Sequence, residues 1–495
     1  MSFLNESGSL HPFTEVVPDS AQFGPPEKSS ILTARRRARI IPQTGTSYGQ
    51  ATAGTGAGGS QIQFLLADQG GLVDPASIVV NYTIFTSGTG NPCPDDGHPF
   101  LTVQALVNGQ LVEQITNAPK LTNVEMTMGG SFSYYKSAGS FQGFQLLNND
   151  LVTNVPSSST TASITAWGYV IGNQPSIAVR SSRAAATVFN NIPGMQVSVP
   201  LGLIMGLGRC KSYLPIALLG ELSFIFITGQ PNDVLFSTGS ATGTAAGDYS
   251  LSQVSMEYDI VVPDTRYMQV LQKVAMEDGQ GLVIPYESSI VTTGANISAS
   301  ASALTETSLI ASRATNHLLR SSVVQVPTNC VSLLGFPGQC TFSHAGVYSI
   351  QWRVGSIVYP QIAAQGDASI FNMSLLAYGS ADNENGSTTN RVLWGQSTSG
   401  ATAGTPAVLE TADAASGGTT KFCYADRFVP TYGFQTVKGP SQPLAVDGIS
   451  LAGSSGSQII VSIISAPGVA YTPFVILTAL RFLKAQGGAV SVVGA

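Results

Sequence analysis

From about residue 60 onward the chain runs in short stretches of alternating apolar and polar positions separated by turn residues, the pattern of strands with one buried face. Gln61–Leu66 and Ser77–Phe85 predict two early strands. Leu101–Val107, Asn108-Gly109 and Gln110–Ile115 predict a hairpin, because Asn-Gly readily takes the positive φ angles of a tight turn. Ser163–Ile171, Met195–Pro200 and Tyr213–Leu219 extend the set. Two further pairs share one plan: Glu221–Pro231 followed by Tyr249–Val262, and Ser457–Gly468 followed by Tyr471–Leu483. Each is a β-branched run, a Pro/Gly break, and a second run opening on tyrosine. A long-range repeat sets the architecture. Here it predicts one β domain closing near Val262 and another near Leu483.

The period changes once. In Thr265–Glu277, apolar residues fall at Tyr267, Val270, Leu271, Val274 and Ala275, the spacing of an amphipathic helix. Asp264 suits its N-cap and Gly279 its terminator, and the helix is expected to lie against a barrel wall. A second set of strands follows: Gly281–Tyr286, Ser321–Val326, Val347–Val354, Ser356–Tyr359 and the terminal pair. The Gly/Ser/Thr-rich stretch 379–420 is too long for an ordinary connection and predicts a surface loop, with smaller ones at 91–99 and 157–161. About eight antiparallel strands in roughly 200 residues is the size of a decorated jelly roll. The expected fold is all-β: two consecutive eight-stranded antiparallel jelly rolls (a double jelly roll) with a short linking helix and long surface loops. The expected segments are an N-terminal arm (1–35), a first roll (36–263), the linking helix (264–280) and a second roll (281–495).

Composition adds a hint about surfaces. Charged residues make up 10% of the 495 residues, far below the ~25% usual in soluble domains. So little charge suits a protein that packs against copies of itself, and equally a secreted β-protein. A net charge of −6 argues against a chain whose main task is coating nucleic acid. The local exception is Arg35, Arg36, Arg37 and Arg39, four arginines in five positions after a polar, Pro-containing start. They read as a contact for phosphate or an acidic neighbour, or as a solvated basic patch beside the first strand. The start Met1–Gly8 has neither a basic region nor an apolar core, so no signal peptide is expected. Five widely spaced cysteines (Cys93, Cys210, Cys330, Cys340, Cys423) point to reduced thiols, with a local Cys330–Cys340 bridge left open. Residues 459–480 carry no charge until Arg481, but Pro467, Gly468 and Pro473 divide them into two strands rather than a membrane helix.

Catalytic and metal motifs are missing. The four histidines stand in no catalytic or metal arrangement, and Cys93, Asp95, Asp96 and His98 read as a surface loop rather than a metal site. Gly54–Gly59 matches a dinucleotide pattern literally but leads into a strand instead of a helix. No zinc-protease, P-loop or nucleophile-elbow motif occurs. Neither catalytic nor metal-binding residues, nor any cofactor, are expected.

From Tyr213 to Pro285 the order Tyr-Leu-Pro, a Leu/Ile/Phe strand, a polar loop, Tyr249–Val254, Pro263-Asp264, the helix and Leu282–Pro285 resembles double jelly-roll major capsid proteins, most of all the virophage and polinton-like virus branch. Ser308–Arg313, Leu318–Val326 and Arg353–Pro360 resemble the matching parts of the second roll. The resemblance implies a viral major capsid protein of DNA viruses, not an enzyme. Its homotrimers would be pseudo-hexagonal capsomers tiling an icosahedral virion shell assembled inside the host cell. Expected partners are the chain itself, neighbouring capsomers, and penton and minor capsid proteins. The resemblance places Arg35, Arg36, Arg37 and Arg39 near the inner surface, toward genome, membrane or minor capsid protein; the lack of a long basic tail argues against genome contact. The alternative is a carbohydrate-binding or adhesin-type β-protein, which needs exposed aromatic platforms. Of Trp167, Trp352 and Trp394, the first two lie in alternating runs and are expected in the core.

Overall fold

Within the described residues most of the alternating runs pair so that their apolar positions face inward. The computed structural model describes residues 32–49, 57–66, 70–87, 92–94, 97–129, 142–143, 195–237, 248–276, 281–300, 303–313, 315, 317–328, 342, 346–378, 423–428, 448–451, 458–467, 470–486 and 489–493. The first half contributes β1 (Leu32–Ile40), β2 (Gln61–Leu66), β3 (Leu72–Ser87), β4 (Pro92–Pro94), β5 (Phe100–Val107), β6 (Gln110–Thr116), helix α1 (Ala118–Gly129), β7 (Met195–Pro200), β8 (Leu222–Thr228), β9 (Leu235–Ser237) and β10 (Asp248–Pro263). Helix α2 (Thr265–Met276) leads to β11 (Leu282–Thr293), β12 (Thr305–Ser312), β13 (Leu318–Pro327), β14 (Val347–Val354), β15 (Ile357–Gln365), helix α3 (Asp367–Tyr378), β16 (Tyr424–Arg427), β17 (Gln458–Ser465), β18 (Tyr471–Gln486) and β19 (Ala489–Val493).

The sheets run β1-β10-β3-β7 and β2-β8-β5-β6 in the first half, and β11-β18-β13-β16 and β12-β17-β14-β15 in the second. Set aside the β4–β9 ribbon and β19, which pairs with β18. The two halves then have the same strand order, first-eighth-third-sixth facing second-seventh-fourth-fifth. That is a jelly roll, made twice. The repeated strand pairs are its seventh and eighth strands, β8 with β10 and β17 with β18. They belong to opposite sheets, so each Pro/Gly break carries the chain across the sandwich. The uncharged stretch before Arg481 is β17 and β18, and no described helix is long and apolar enough to cross a membrane.

Packing inside each roll explains the pattern. In roll 1, Phe100 meets Tyr82 and Phe226 at ring-centroid distances of 5.4 and 5.0 Å, and Phe226 meets Phe64 edge-on at 5.8 Å. In roll 2, Trp352 is fully buried beside Val461, Ile463 and Leu477, and its indole N–H donates to Ser321 Oγ at 3.1 Å. A buried indole needs such a partner. Tyr249, second in β10, and Tyr471, first in β18, are both fully buried. Asn108 and Gly109 take φ of 50° and 76° in the β5–β6 turn, as its sequence requires.

Several elements depart from expectation. Tyr213–Leu219 is not a strand: Leu214 makes one bridge to Val73, and Ile216–Leu219 then form a helical turn ended by Gly220 at φ +81°. A continuous apolar run does not separate these outcomes, and Pro215 at the N-cap favours the turn. Helix α2 forms, and Asp264 caps it by accepting the Arg266 N–H at 2.8 Å. Its expected stripe is only half-buried, with Val270 58% exposed. His98 is buried, not on a surface loop: Nε2 lies 3.0 Å from Thr122 Oγ1, Nδ1 accepts the Phe100 N–H, and burial lowers its pKa to about 3. Ser163–Ile171, the 379–420 and 157–161 loops, Gly279, Trp167, Trp394 and the Cys330–Cys340 pair lie outside the described residues.

Candidate functional site: the seam between the two rolls

The two rolls are held in one relation by a seam of packed, hydrogen-bonded and ion-paired residues. Strand β6, at the edge of roll 1, faces β11, the edge strand of roll 2, and helix α1 lies against the outer face of the sheet containing β11, β18 and β13. One apolar cluster continues from the roll 1 core into Val324, Val326, Phe474 and Ile476 on that outer face. The Tyr286 hydroxyl donates to Val112 O at 3.0 Å, and Thr116 Oγ1 to Val291 O at 3.3 Å. Both bonds join the rolls.

The seam also buries charge. Glu125 of α1 accepts from Arg320 of β13 at 2.5 Å and lies 3.3 Å from Arg209. Burial opposes ionisation of Glu125, but the two guanidiniums outweigh it and hold its pKa below the ordinary carboxylate value. The Arg320 guanidinium lies 3.9 Å over the Tyr378 ring of α3, and the Tyr378 hydroxyl is 2.8 Å from Ser322 Oγ. So α1, β13 and α3 are locked together. Glu113 of β6, 1% exposed, accepts the N–H groups of Gly206 and Leu207 at 3.1 and 2.9 Å. Burial raises its pKa, and the two N–H groups partly offset that shift. A Cβ on Gly206 would overlap the Glu287 carbonyl oxygen, so only glycine lets β11 approach this closely. Arg313 is buried and donates to Ser288 O, Ser288 Oγ and Leu477 O at 2.7–2.8 Å, with its pKa lowered to about 10 chiefly by burial.

None of these seam residues was singled out from sequence. Their signal was faint: isolated charges in otherwise apolar stretches, which a low-charge chain places in its interior only with partners.

The residues that were singled out lie elsewhere. Arg35, Arg36, Arg37 and Arg39 are all exposed on β1, an edge strand of roll 1 that begins within the segment read as an arm. Register places Arg37 opposite Asp259 and Arg39 opposite Glu257 on β10. Arg35 pairs with Asp259; Arg37 donates to Glu257 at 2.9 Å and lies 3.7 Å from Asp259. The structure thus brings Arg35 and Arg37 to acidic neighbours on the next strand. Among the described residues no group of three or more His, Cys, Asp or Glu could hold a metal ion. Cys210 and Cys423 are buried and not joined in a disulfide.

No family model matches the chain, and no curated protein matches it. Solved structures do. The PBCV-1 virus capsid is similar over 96% of this chain and 99% of that one, with 12% identity and a TM-score of 0.55. The Faustovirus major capsid protein is similar over 96% and 93%, with 10% identity and a TM-score of 0.53. The Sputnik virophage structure is similar over 99% and 95%, with 11% identity and a TM-score of 0.51. What is shared at these identities is the fold: this chain is a double jelly-roll protein, built like the chains of those virus particles.

Proposed function

We propose that the chain is a viral major capsid protein whose three copies form a pseudo-hexagonal capsomer that tiles an icosahedral shell. The carrying observation is the duplication itself: two rolls of identical strand order, fixed to one another by a buried seam. Three such chains offer six similar sides, and a ring of six similar sides packs a hexagonal lattice. The full-length likeness to the PBCV-1 capsid and the Faustovirus major capsid protein supports the same reading. The role is structural, without catalysis: the chain works by binding itself, with neighbouring capsomers and with penton and minor capsid proteins, in a virion assembled inside the host cell. The carbohydrate-binding alternative needs aromatic platforms at the surface, and Trp352 is in the core. Sedimentation and negative-stain imaging of the purified chain test the proposal. A stable trimer of about three times 51.3 kDa with a hexagonal outline is expected. A chain that stays monomeric at every concentration overturns it.

A further inference from the structure

The seam holds more buried positive charge than its ion pairs neutralise. Arg209 and Arg320 both meet Glu125, and the other ion pairs among the described residues belong to Arg35 and Arg37 on β1. Arg313 and Arg481 have none. Register brings these two guanidiniums together. Tyr286 and Arg481 are cross-strand partners on β11 and β18, so their side chains leave the sheet on one face. Ser288 follows two residues along β11 on the same face, and its hydroxyl accepts from Arg313 at 2.8 Å. The Tyr286 hydroxyl is held by Val112 O of β6, next in the chain to Glu113. The charges act on one another as neighbours. The pKa of Arg313 is lowered first by burial and next by the like charge of Arg481, with Glu113 and Tyr286 opposing. Tyr286 is pushed up first by burial and next by Glu113, with Arg481 and Arg313 opposing. Two cations thus share this place with one carboxyl, and Glu113 already accepts from Gly206 and Leu207. Arg313 is 5% exposed, yet its Nε–H, like that of Arg481, is buried without an acceptor among the described residues. A buried donor left unpaired is costly, and a buried charge left unmatched more so.

We infer that Arg313 and Arg481 together hold a monovalent inorganic anion of chloride size beside Tyr286, a ligand the chain takes up from solution when it folds. A halide accepts hydrogen bonds from any direction, so one ion serves both unpaired N–H groups. It also balances the charge: with Glu113 ionised, two guanidiniums leave one positive charge over. Water would serve the N–H groups but would leave that charge unmatched. A divalent phosphate overshoots the balance, and burying two charges costs more than burying one. Arg481 is only partly buried, which gives the ion a route from solvent. The place matters because Tyr286 is one of the residues that bond roll 2 to β6. An anion that relieves the repulsion between Arg313 and Arg481 steadies the face of β11 from which Tyr286 reaches roll 1. The relation between the rolls then depends on the anion, whatever the chain's role.

The test follows thermal unfolding of the full-length chain at fixed ionic strength while chloride replaces the bulkier isethionate in steps. It is repeated for Arg481→Met and, as a control, for Arg37→Met on the exposed strand β1. For wild type and the control the midpoint is expected to climb with each tenfold rise in chloride, as for any ligand that binds only the folded state. Arg481→Met should weaken the apparent chloride affinity by about tenfold or more, since it removes one charged donor. Wild-type crystals grown in bromide give a second measurement that does not depend on a variant folding. An anomalous-scattering peak within hydrogen-bond reach of both Nε atoms is expected there. A wild-type midpoint indifferent to chloride overturns the site, even where phosphate raises it. So does an equal chloride response in Arg481→Met, or a bromide-grown crystal with no peak at the two arginines.

Discussion

Glu125 on the helix after the fifth strand of roll 1 meets Arg320 on the third strand of roll 2 at 2.5 Å, and the pair is largely shielded from water. Its partners are in different rolls, so it reports on their relation rather than on either fold. Removing one member leaves the other charge buried and unmatched, which costs about 3–5 kcal/mol. Arg320→Ala should therefore lower the unfolding midpoint strongly, while Glu125→Gln with Arg320→Met together should recover much of the loss. Denaturant unfolding of wild type and the two variants measures this. The native pair also has a pH signature: because the folded pKa of Glu125 lies below its ordinary 4.5, its contribution is present above that value and is lost as pH falls through the folded pKa.

Gly206 tests the close approach of the rolls from the backbone side. Any Cβ there meets the Glu287 carbonyl oxygen, and backbone cannot swing aside as a side-chain tip can. Gly206→Ala must displace β11 or the turn whose N–H groups bind Glu113. A loss of about 3 kcal/mol or more is expected, with the chain recovered largely as insoluble material. Gly109, whose Cβ would meet nothing within 4 Å, is the control. Its positive φ alone should make Gly109→Ala cost only about 1 kcal/mol. Soluble yield and thermal midpoint, compared side by side, decide it.

Tyr249 separates packing from hydrogen bonding in the repeated motif. Its ring is fully buried, and its hydroxyl donates to Gly229 O at 2.6 Å, tying the start of β10 to the end of β8 across the break between the sheets. Tyr249→Phe should cost about 1 kcal/mol, the net value of one such bond. Tyr249→Ala should cost about 3–5 kcal/mol, because it also opens a cavity. Equal losses from the two changes would show that the hydroxyl, not the ring, holds the crossing.

The strands of both rolls were largely legible because each buries one face, and a period of two survives in sequence as Gln61–Leu66 or Val347–Val354. Helices α1 and α3 were not. In α1 every residue from Ala118 to Val124 is buried, so no polar stripe marks the turns, and a helix hidden on all sides has no 3.6-residue signal. Helix α2 was the reverse, legible because half of it meets water. Strand β16 is four residues long and β19 five, too short for a period to show. The seam was invisible for a different reason. Glu113, Glu125, Arg313 and Arg320 look like any surface charges until the fold shows partners that stand 25 to 195 residues away along the chain. The arginine cluster was visible as charge, but not as a strand whose acidic partners stand on β10.

Asp426 gives the clearest expected pH effect. It lies on β16 opposite Ser321, and burial raises its pKa from 3.8 to about 6, against a smaller opposing effect of the Arg427 N–H it accepts. A raised carboxylate means that the folded state binds a proton more tightly than the unfolded state. Its stability contribution is thus full below pH 3.8 and is lost as pH rises through about 6. Above that, the ionised group costs roughly 1–2 kcal/mol after allowance for its partial solvent access. Asp426→Asn keeps an oxygen for the Arg427 N–H and removes the charge. It should raise the urea midpoint at pH 7.5, by less at pH 5, and not at all below about pH 4. A gain of equal size at every pH would show that Asp426 acts through packing rather than through its charge.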